Sequence, residues 1–182
     1  MRIVAGEWRG RKLVAPEGDT TRPTSDRTRE TLFSMLVSRL GSFEDLRVAD
    51  LFAGSGALGL EALSRGAASC MFVEQDPAAI RALRSNITNL RAQERCDVRA
   101  TSVMAMGAVR NEPLDLVLLD PPYGTGAGVV AIDKLSRLGW IAPSAWVSLE
   151  TGRTEDVSVK GYTVDAVRDV GKARLHLLRR EA

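Results

Sequence analysis

Two kinds of apolar pattern alternate along this chain. Short apolar runs predict buried strands at residues 47–52, 69–74, 96–100, 114–120 and 145–150. Segments with a helical pattern separate them, and predict helices at 57–65, from 77 onward, at 103–109 and at 129–138. Strands that alternate with helices indicate an α/β fold built on a parallel sheet.

Helix boundaries are marked by capping residues. Asp76 and Pro77 predict the start of one helix. Its apolar face consists of Ile80, Leu83, Ile87 and Leu90. An earlier helix is predicted to begin near Thr24 or Ser25 and to end at Gly41. Its apolar face consists of Leu32, Phe33, Leu36 and Leu40.

The two ends of the chain depart from this alternation. Residues 161–170 and 172–178 alternate between apolar and polar positions and leave no room for a helix, which predicts a terminal antiparallel hairpin. Residues 1–41 predict a strand or hairpin followed by a helix, and are too short for a core of their own. We therefore interpret 1–41 as an extension and 42–182 as one domain.

Composition narrows the class of protein. The chain has 182 residues, and 45% of them are hydrophobic, which suits one packed domain. No apolar run is long enough for a membrane span, and the basic start lacks a signal-peptide pattern. Cys70 and Cys96 lie in apolar runs, which predicts buried free thiols in a reducing cytoplasm. A single histidine and no Cys-x-x-Cys pair argue against a zinc site.

Basic residues concentrate near the start of the chain, although the net charge is only +2. Glycines and Trp8 interleave with them, as in a mobile arm that binds RNA phosphates. The candidate RNA-binding residues are Arg2, Trp8, Arg9, Arg11, Lys12, Arg22, Arg27 and Arg29. Two alternatives stay open, because Arg27 or Arg29 could approach a cofactor carboxylate, or could pair locally with Asp26 and Glu30.

The most informative segment is Asp120-Pro121-Pro122-Tyr123, at the end of the fourth predicted strand. A nucleobase amine is a poor nucleophile because its lone pair is delocalised into the ring. The Asp120 carboxylate and the Pro121 carbonyl can accept its N–H bonds, while Pro121 and Pro122 fix the backbone. Tyr123 can stack on an unstacked base. This pattern predicts methyl transfer to an exocyclic amine, although the same residue types also occur in plain turns.

A glycine-rich loop follows the first predicted strand. Its glycines fit the G-x-G-x-x-G spacing, which allows a ligand to approach backbone at a helix N-terminus. The candidate cofactor-binding residues in it are Asp50, Phe52, Ala53, Gly54, Ser55, Gly56 and Gly59. Glu74, with Gln75 beside it, ends the second strand, where an acid can bind both hydroxyls of a ribose.

Two features favour S-adenosylmethionine over NAD as the ligand of this loop. Asp50 suits an ammonium group and is unhelpful beside a pyrophosphate, and a terminal antiparallel hairpin is expected of methyltransferases. Adenine is then expected beyond the third strand, near Thr101, Ser102 and Val103.

At this point the chain resembles a family, the bacterial methyltransferases that modify a guanine exocyclic amine in small-subunit (16S) ribosomal RNA. The stretches that carry the resemblance are 1–13 (MRIVAGEWRGRKL), 22–36 (RPTSDRTRETLFSML), 50–67 (DLFAGSGALGLEALSRGA) and 120–123 (DPPY). It implies a Rossmann-like class I methyltransferase fold with a seven-stranded, mostly parallel sheet. It also implies transfer from S-adenosylmethionine to the N2 amine of a guanine in a partly or fully assembled subunit. One departure is that Thr101 and Ser102 stand where many relatives of this fold carry an Asp or Asn for the adenine amino group.

Other functions stay open from the sequence. The DPPY segment also suits amine methyltransferases that act on adenine in DNA or RNA, or on a protein side-chain amide. An NAD-dependent dehydrogenase and a catalytically silent RNA-binding module are further alternatives. We expect a cytoplasmic monomer without a metal ion.

Overall fold

The computed structural model describes residues 1–17 and 26–181, which form a sheet flanked by helices on both faces. The strands are β1 (Arg47–Leu51), β2 (Ser69–Glu74), β3 (Cys96–Ala100), β4 (Leu114–Leu119), β5 (Ile141–Gly152), β6 (Tyr162–Val170) and β7 (Ala173–Arg180). Their order in the seven-stranded sheet is β3-β2-β1-β4-β5-β7-β6. Strands β1 to β5 are parallel, and β7 is antiparallel to both β5 and β6. The predicted α/β class and the terminal antiparallel hairpin are confirmed.

Four α-helices connect or precede these strands in the described residues. They are α1 (Asp26–Leu40), α2 (Ala57–Ser64), α3 (Pro77–Asn89) and α4 (Ala127–Arg137), with short 3₁₀ turns at Gln93–Arg95 and Val103–Ala105. The cap of α3 is confirmed, because the Asp76 carboxylate accepts the Ala79 N–H at 3.0 Å. The cap predicted for α1 at Thr24 or Ser25 lies outside the described residues.

Two predicted elements differ from the structure. The fifth strand runs from Ile141 to Gly152 and so begins before Ala145. A register shift opposite Leu114 and Leu116 accommodates the exposed Pro143 within it. The predicted helix at 103–109 is only a 3₁₀ turn at Val103–Ala105. Its continuation is prevented because the Gly107 carbonyl accepts the Trp140 indole N–H and the Val109 N–H donates to Leu138.

Alternation along the central strands divides the core into two clusters. Val48, Leu116 and Leu118 face the cluster that contains α1, α2 and α3. Ala49 and Val117 face the opposite cluster, which contains α4. The extension and the domain therefore share one core, and the boundary at 41/42 stays an interpretation.

The described start of the chain is docked on α2. Arg2 and Lys12 form an antiparallel bridge, so that residues 1–13 make an N-terminal hairpin. Ile3, Trp8 and Leu13 are buried in the same cluster as α1 and α2. The Ser64 hydroxyl accepts the Trp8 N–H at 2.9 Å and donates to the Ala5 carbonyl at 2.7 Å. The expectation of a mobile arm is therefore wrong for this segment.

The buried carboxylate of Glu61 holds the N-terminal hairpin in place. It accepts the Val4 and Ala5 N–H groups at 2.8 and 3.0 Å, and is paired with Arg29 at 3.4 Å and Arg65 at 2.9 Å. A buried carboxylate is stable only when its oxygens are satisfied in this way.

Arg29 belongs to the same buried network. Its side chain is fully buried, pairs with Asp26 as well as Glu61, and donates to the Arg2 carbonyl. The expectation that Arg29 contacts RNA does not fit this burial. Trp8 is buried too, with the Arg95 guanidinium 5.3 Å from its ring centroid, and so it is not an exposed stacking platform.

We predict that Glu61→Ala lowers the free energy of unfolding by about 3–5 kcal/mol, because two arginines and two backbone N–H groups lose their acceptor. Urea titration followed by circular dichroism measures this. Glu30→Ala is the matched control, since Glu30 is an exposed acid on α1 and its loss should cost less than about 0.5 kcal/mol. Equal midpoints for the two variants would contradict the role of Glu61.

Candidate active site

Three acidic residues come together at the carboxyl edge of the sheet. Asp50 lies in β1, Glu74 ends β2 and Asp120 follows β4, and β1 pairs in parallel with both of these strands. Burial raises the pKa of Asp50 well above its ordinary value, and repulsion from Asp120 and Glu74 adds to the increase. A cationic ligand at this edge would favour the ionised form of Asp50, because an opposite charge offsets both burial and repulsion.

The glycine-rich loop is fastened to β2. The Glu74 carboxylate accepts the Gly54 N–H at 2.8 Å, and the Val73 carbonyl accepts the Ala53 N–H at 3.0 Å. Phe52 has a φ of 59°, a left-handed conformation that is unfavourable for a residue with a side chain. These two hydrogen bonds compensate for that local strain.

The glycines of this loop differ in their surroundings. A Cβ on Gly59 would lie 2.4 Å from the Phe72 ring, and one on Gly56 would lie 2.4 Å from the Leu83 side chain. Both glycines therefore allow helix and strand to pack closely. A Cβ on Gly54 would meet no atom within 4 Å, so Gly54 faces open space, where a ligand could approach its backbone.

The Asp50 side chain is hydrogen-bonded to the first turn of α2. One of its oxygens accepts the Gly59 N–H at 2.9 Å, and its side chain is almost fully buried. A carboxylate at a helix N-terminus is favoured by the orphan N–H groups and the helix dipole. Its contact with a ligand ammonium group stays a prediction.

Sequence analysis missed Asn86, which joins the loop to the start of the chain. This buried α3 residue donates to the Ser55 carbonyl at 2.9 Å and to the Val14 carbonyl at 3.0 Å, and accepts the Val14 N–H at 2.7 Å. The Ser55 hydroxyl also lies 3.9 Å from the Met1 sulfur. A lone asparagine in a helix has no pattern that predicts this role, because the partners are 31 and 72 residues away.

The predicted adenine-binding turn lies beside Glu74. Glu74 pairs with Ala100 in the β2–β3 ladder, so the turn that follows β3 starts at the same edge. Ser102 accepts the Met104 N–H at 3.2 Å and Val103 is buried. The Gln75 and Asp76 N–H groups both donate to the second Glu74 oxygen at 2.9 Å. Glu74 is thus held rigidly where β2 ends.

The DPPY segment leaves the sheet between β4 and α4. Pro121 is buried and Pro122 is exposed, with the Pro122 carbonyl accepting the Thr125 hydroxyl at 2.8 Å. The Tyr123 hydroxyl donates to the Glu150 carboxylate at 2.6 Å. Sequence analysis did not single out Glu150, although it comes at the end of an apolar run, as Glu74 and Asp120 do.

The candidate RNA-binding residues divide into two groups. Five are exposed on the N-terminal hairpin and on the first turn of α1, namely Arg2, Arg9, Arg11, Lys12 and Arg27. The Arg11 guanidinium also donates to the Asn89 carbonyl at 2.8 Å, which ties the hairpin to α3. Arg22 lies outside the described residues, and Trp8 and Arg29 are buried as described above.

The burial of the two cysteines and of the histidine determines whether they could act as reactive groups. Cys70 is buried as predicted, whereas Cys96 is only half-buried because β3 is an edge strand. Burial raises the pKa of Cys96 to about 12, and that of Cys70 well above its ordinary value, so neither is poised as a thiolate nucleophile. The buried His176 ring bonds the Thr151 hydroxyl at 2.9 Å.

No helix among the described residues is long and apolar enough to cross a membrane. Across residues 1–17 and 26–181, no three His, Cys, Asp or Glu side chains are arranged so that they could hold a metal ion together.

Comparison with known folds supports a methyltransferase architecture. The solved structure of yhhF from Escherichia coli matches with a TM-score of 0.86 and 38% identity, covering 100% of this chain and 98% of that chain. A ribosomal protein L11 methylase from Lactobacillus delbrueckii subsp. bulgaricus shares the fold alone, with a TM-score of 0.68 and 17% identity over 92% of this chain and 93% of that chain. The fold is that of class I methyltransferases, which favours the methyltransferase interpretation over a dehydrogenase.

Sequence comparison identifies the family. The Ribosomal RNA small subunit methyltransferase D of Escherichia coli strain K12 is 41% identical over 151 residues, which cover 83% of this chain and 74% of that protein. The protein of the same name from Haemophilus influenzae is 40% identical over 154 residues, covering 83% and 78%. A family model described as Conserved hypothetical protein 95 matches residues 1–179. The chain therefore belongs to this family of ribosomal RNA small-subunit methyltransferases.

Proposed function

We propose that this protein transfers a methyl group from S-adenosylmethionine to the N2 amine of a guanine in 16S rRNA. The observation that carries the proposal is the carboxyl edge of the sheet. There the DPPY segment, the open side of Gly54 and the acids Asp50 and Glu74 meet at the ends of adjacent strands. The names of the relatives, which are rRNA small-subunit methyltransferases, support an rRNA substrate.

The residues at this edge fit S-adenosylmethionine. In this proposal, a ligand reaches the loop backbone at the open side of Gly54, and Glu74, held at the end of β2 by the Gly54 N–H, accepts the ribose hydroxyls. The carboxylates at this edge favour a positively charged ligand. The bound donor would supply an electrophilic methyl group and leave as S-adenosylhomocysteine.

The protein's own residues then act mainly by positioning the amine. The Asp120 carboxylate and the Pro121 carbonyl accept its two N–H bonds, which localises the nitrogen lone pair towards the methyl group. The Tyr123 ring stacks on the guanine, which has to leave its helix or lie in a loop to reach the edge. The amine proton can depart after transfer, so Asp120 is not required to be a strong base.

Substrate RNA is held by the exposed basic residues, in this proposal. Because the N-terminal hairpin is docked on α2 and linked through Asn86 to Ser55, its arginines keep a set distance from the glycine-rich loop. A fixed basic surface reads phosphate positions and carries little sequence information. We propose that the protein acts as a cytoplasmic monomer on a partly or fully assembled small subunit, whose RNA shape supplies selectivity.

The first prediction concerns Asp120. Asp120→Ala should lower the rate of methyl transfer at least 100-fold, because the amine loses a charged acceptor, while affinity for S-adenosylmethionine changes little. The measurement is nucleoside mass spectrometry of unmodified small subunits incubated with the protein and S-adenosylmethionine, looking for N2-methylguanosine.

Asp115→Ala is the control for this experiment, since Asp115 lies near the amino end of β4, the strand that Asp120 follows, and there accepts the Arg47 N–H at 2.9 Å. It should retain transfer. Near-normal turnover by the Asp120 variant would remove Asp120 from the mechanism, and methylated adenosine in place of guanosine would reject the proposed base.

The second prediction separates the glycines of the loop. Gly54→Ala should weaken S-adenosylmethionine binding at least 10-fold, because its Cβ would occupy the open side, and should lower the free energy of unfolding by about 1–2 kcal/mol because φ is 56°. Gly59→Ala should instead act on stability, with a loss of about 1–3 kcal/mol, because its Cβ would overlap Phe72 and Cys70. Calorimetric titration and urea unfolding measure the two effects. Wild-type affinity in Gly54→Ala would show that the ligand approaches from elsewhere.

The third prediction concerns the N-terminal hairpin. Replacing both Arg9 and Lys12 by Gln should weaken RNA binding and lower the slope of log affinity against log salt by about 0.7–0.9 for each phosphate that is no longer bound. Arg110→Gln with Lys160→Gln is the matched control, because both residues are exposed and precede β4 and β6, at the amino end of the parallel strands. A slope equal to that of the wild type in Arg9→Gln/Lys12→Gln would exclude phosphate binding by these residues.

A further inference from the structure

Glu150 is a buried carboxylate that the mechanism above does not use. It lies near the end of β5, and its side chain is almost completely shielded from solvent. Burying a carboxylate is costly unless it is bonded to strong donors. We propose that Glu150 is a positioning residue that holds the Tyr123 ring in the orientation needed to stack on the target guanine, which rests on the proposed function.

The first contact is at the hydroxyl end of the ring. The Tyr123 hydroxyl donates to a Glu150 oxygen at 2.6 Å, which is the length of a charge-assisted O–H···O⁻ hydrogen bond. Such bonds are roughly twice as strong as neutral ones and are directional. The phenol oxygen is therefore tethered to β5.

The second contact is at the opposite end of the ring. A Cβ built on Gly152 would lie 3.5 Å from Cδ2 and 3.7 Å from Cγ of Tyr123, so the ring passes close to the backbone of this glycine. The Gly152 N–H is in turn held by the Glu155 carboxylate at 2.8 Å. The Tyr123 ring is thus hydrogen-bonded to β5 at its hydroxyl and lies next to the same strand at its other end, which restricts its orientation.

The sheet sets this arrangement relative to Asp120. Leu119 pairs with Leu149 in the β4–β5 ladder, so Asp120 and Glu150 follow at corresponding positions of neighbouring strands. Glu150 also pairs with Leu175 of β7, which makes β5 an interior strand at this point. The Tyr123 ring is therefore held by an interior strand of the sheet, and the DPPY turn does not have to orient it alone.

We expect that fixing the Tyr123 ring increases the rate of the methyl-transfer step. Stacking places the amine in line with the methyl group, and small losses of alignment lower the rate of transfer. The binding of S-adenosylmethionine depends on the glycine-rich loop and should be unaffected. The structure therefore assigns to Glu150 an effect on kcat that passes through the Tyr123 hydroxyl.

A double-mutant cycle tests this assignment. Glu150→Met and Tyr123→Phe should each lower kcat about 10-fold with the affinity for S-adenosylmethionine within about twofold of the wild type, and the double variant should be no slower than either. Glu150→Gln should recover most of the rate, because its amide oxygen can still accept the hydroxyl. A double variant that is about 100-fold slower, or a Gln variant as slow as the Met variant, would overturn the proposal.

Thr151→Val is the matched control, since it removes two hydrogen bonds of the same strand, one to His176 and one to the Gly152 carbonyl, and neither involves Tyr123. It should leave kcat close to that of the wild type. A 10-fold loss in this variant would show that any loosening of β5 has the same effect, and would overturn a specific role for Glu150.

Ring ¹³C chemical shifts provide a readout that does not depend on substrate. The chain has two tyrosines, so the Tyr123→Phe spectrum assigns the Tyr123 signal. This signal should move in Glu150→Met and stay in place in Thr151→Val, and an unmoved signal in Glu150→Met would overturn the proposal. Absence of methylated guanosine with the wild-type protein would reject the proposed substrate, and the ring signal would then decide the role of Glu150 alone.

Discussion

Parallel pairing of β1 with β2 and β4, and of β4 with β5, is the constraint on which the site depends. It brings the carboxyl ends of four strands to one edge, although these ends are separated in the chain by other elements. Each strand ends in or near an acid, namely Asp50, Glu74, Asp120 and Glu150. Burial raises the pKa of Asp50, and repulsion from Asp120 and Glu74 adds to the increase, so an ionised Asp50 costs stability. That cost is compatible with function because the proposed ligand is cationic.

A second buried carboxylate, that of Glu61, holds the N-terminal hairpin, α1 and α2 together. Glu61 accepts hydrogen bonds from the N-terminal hairpin, from α1 and from the arginine that follows its own helix, so three segments share one carboxylate. Because α2 also begins at the glycine-rich loop, the same helix adjoins that loop at one end and the N-terminal hairpin at the other. Packing and charge together replace the mobile arm that the pattern of arginines and glycines predicted.

The two site residues that sequence analysis missed have a common explanation. Asn86 and Glu150 act on partners that lie 72 and 27 residues away, and neither belongs to a motif. Both are buried polar residues, so their partners had to come from the tertiary structure. Conversely, the basic stretch predicts that Arg29 and Trp8 belong to the RNA surface, whereas burial puts them in the core.

The sequence by itself determined the class of fold, the positions of most strands and helices, the terminal hairpin and the loop and DPPY segments at the strand ends. These follow from local rules, because periodicity, capping residues and glycine or proline turns act over a few residues. Only the tertiary structure decided which basic residues are exposed, which glycine faces open space, and which distant groups Asn86 and Glu150 are hydrogen-bonded to. Those properties depend on burial and on contacts between distant segments. A local sequence pattern cannot predict them, because it does not say which distant residue a side chain will contact.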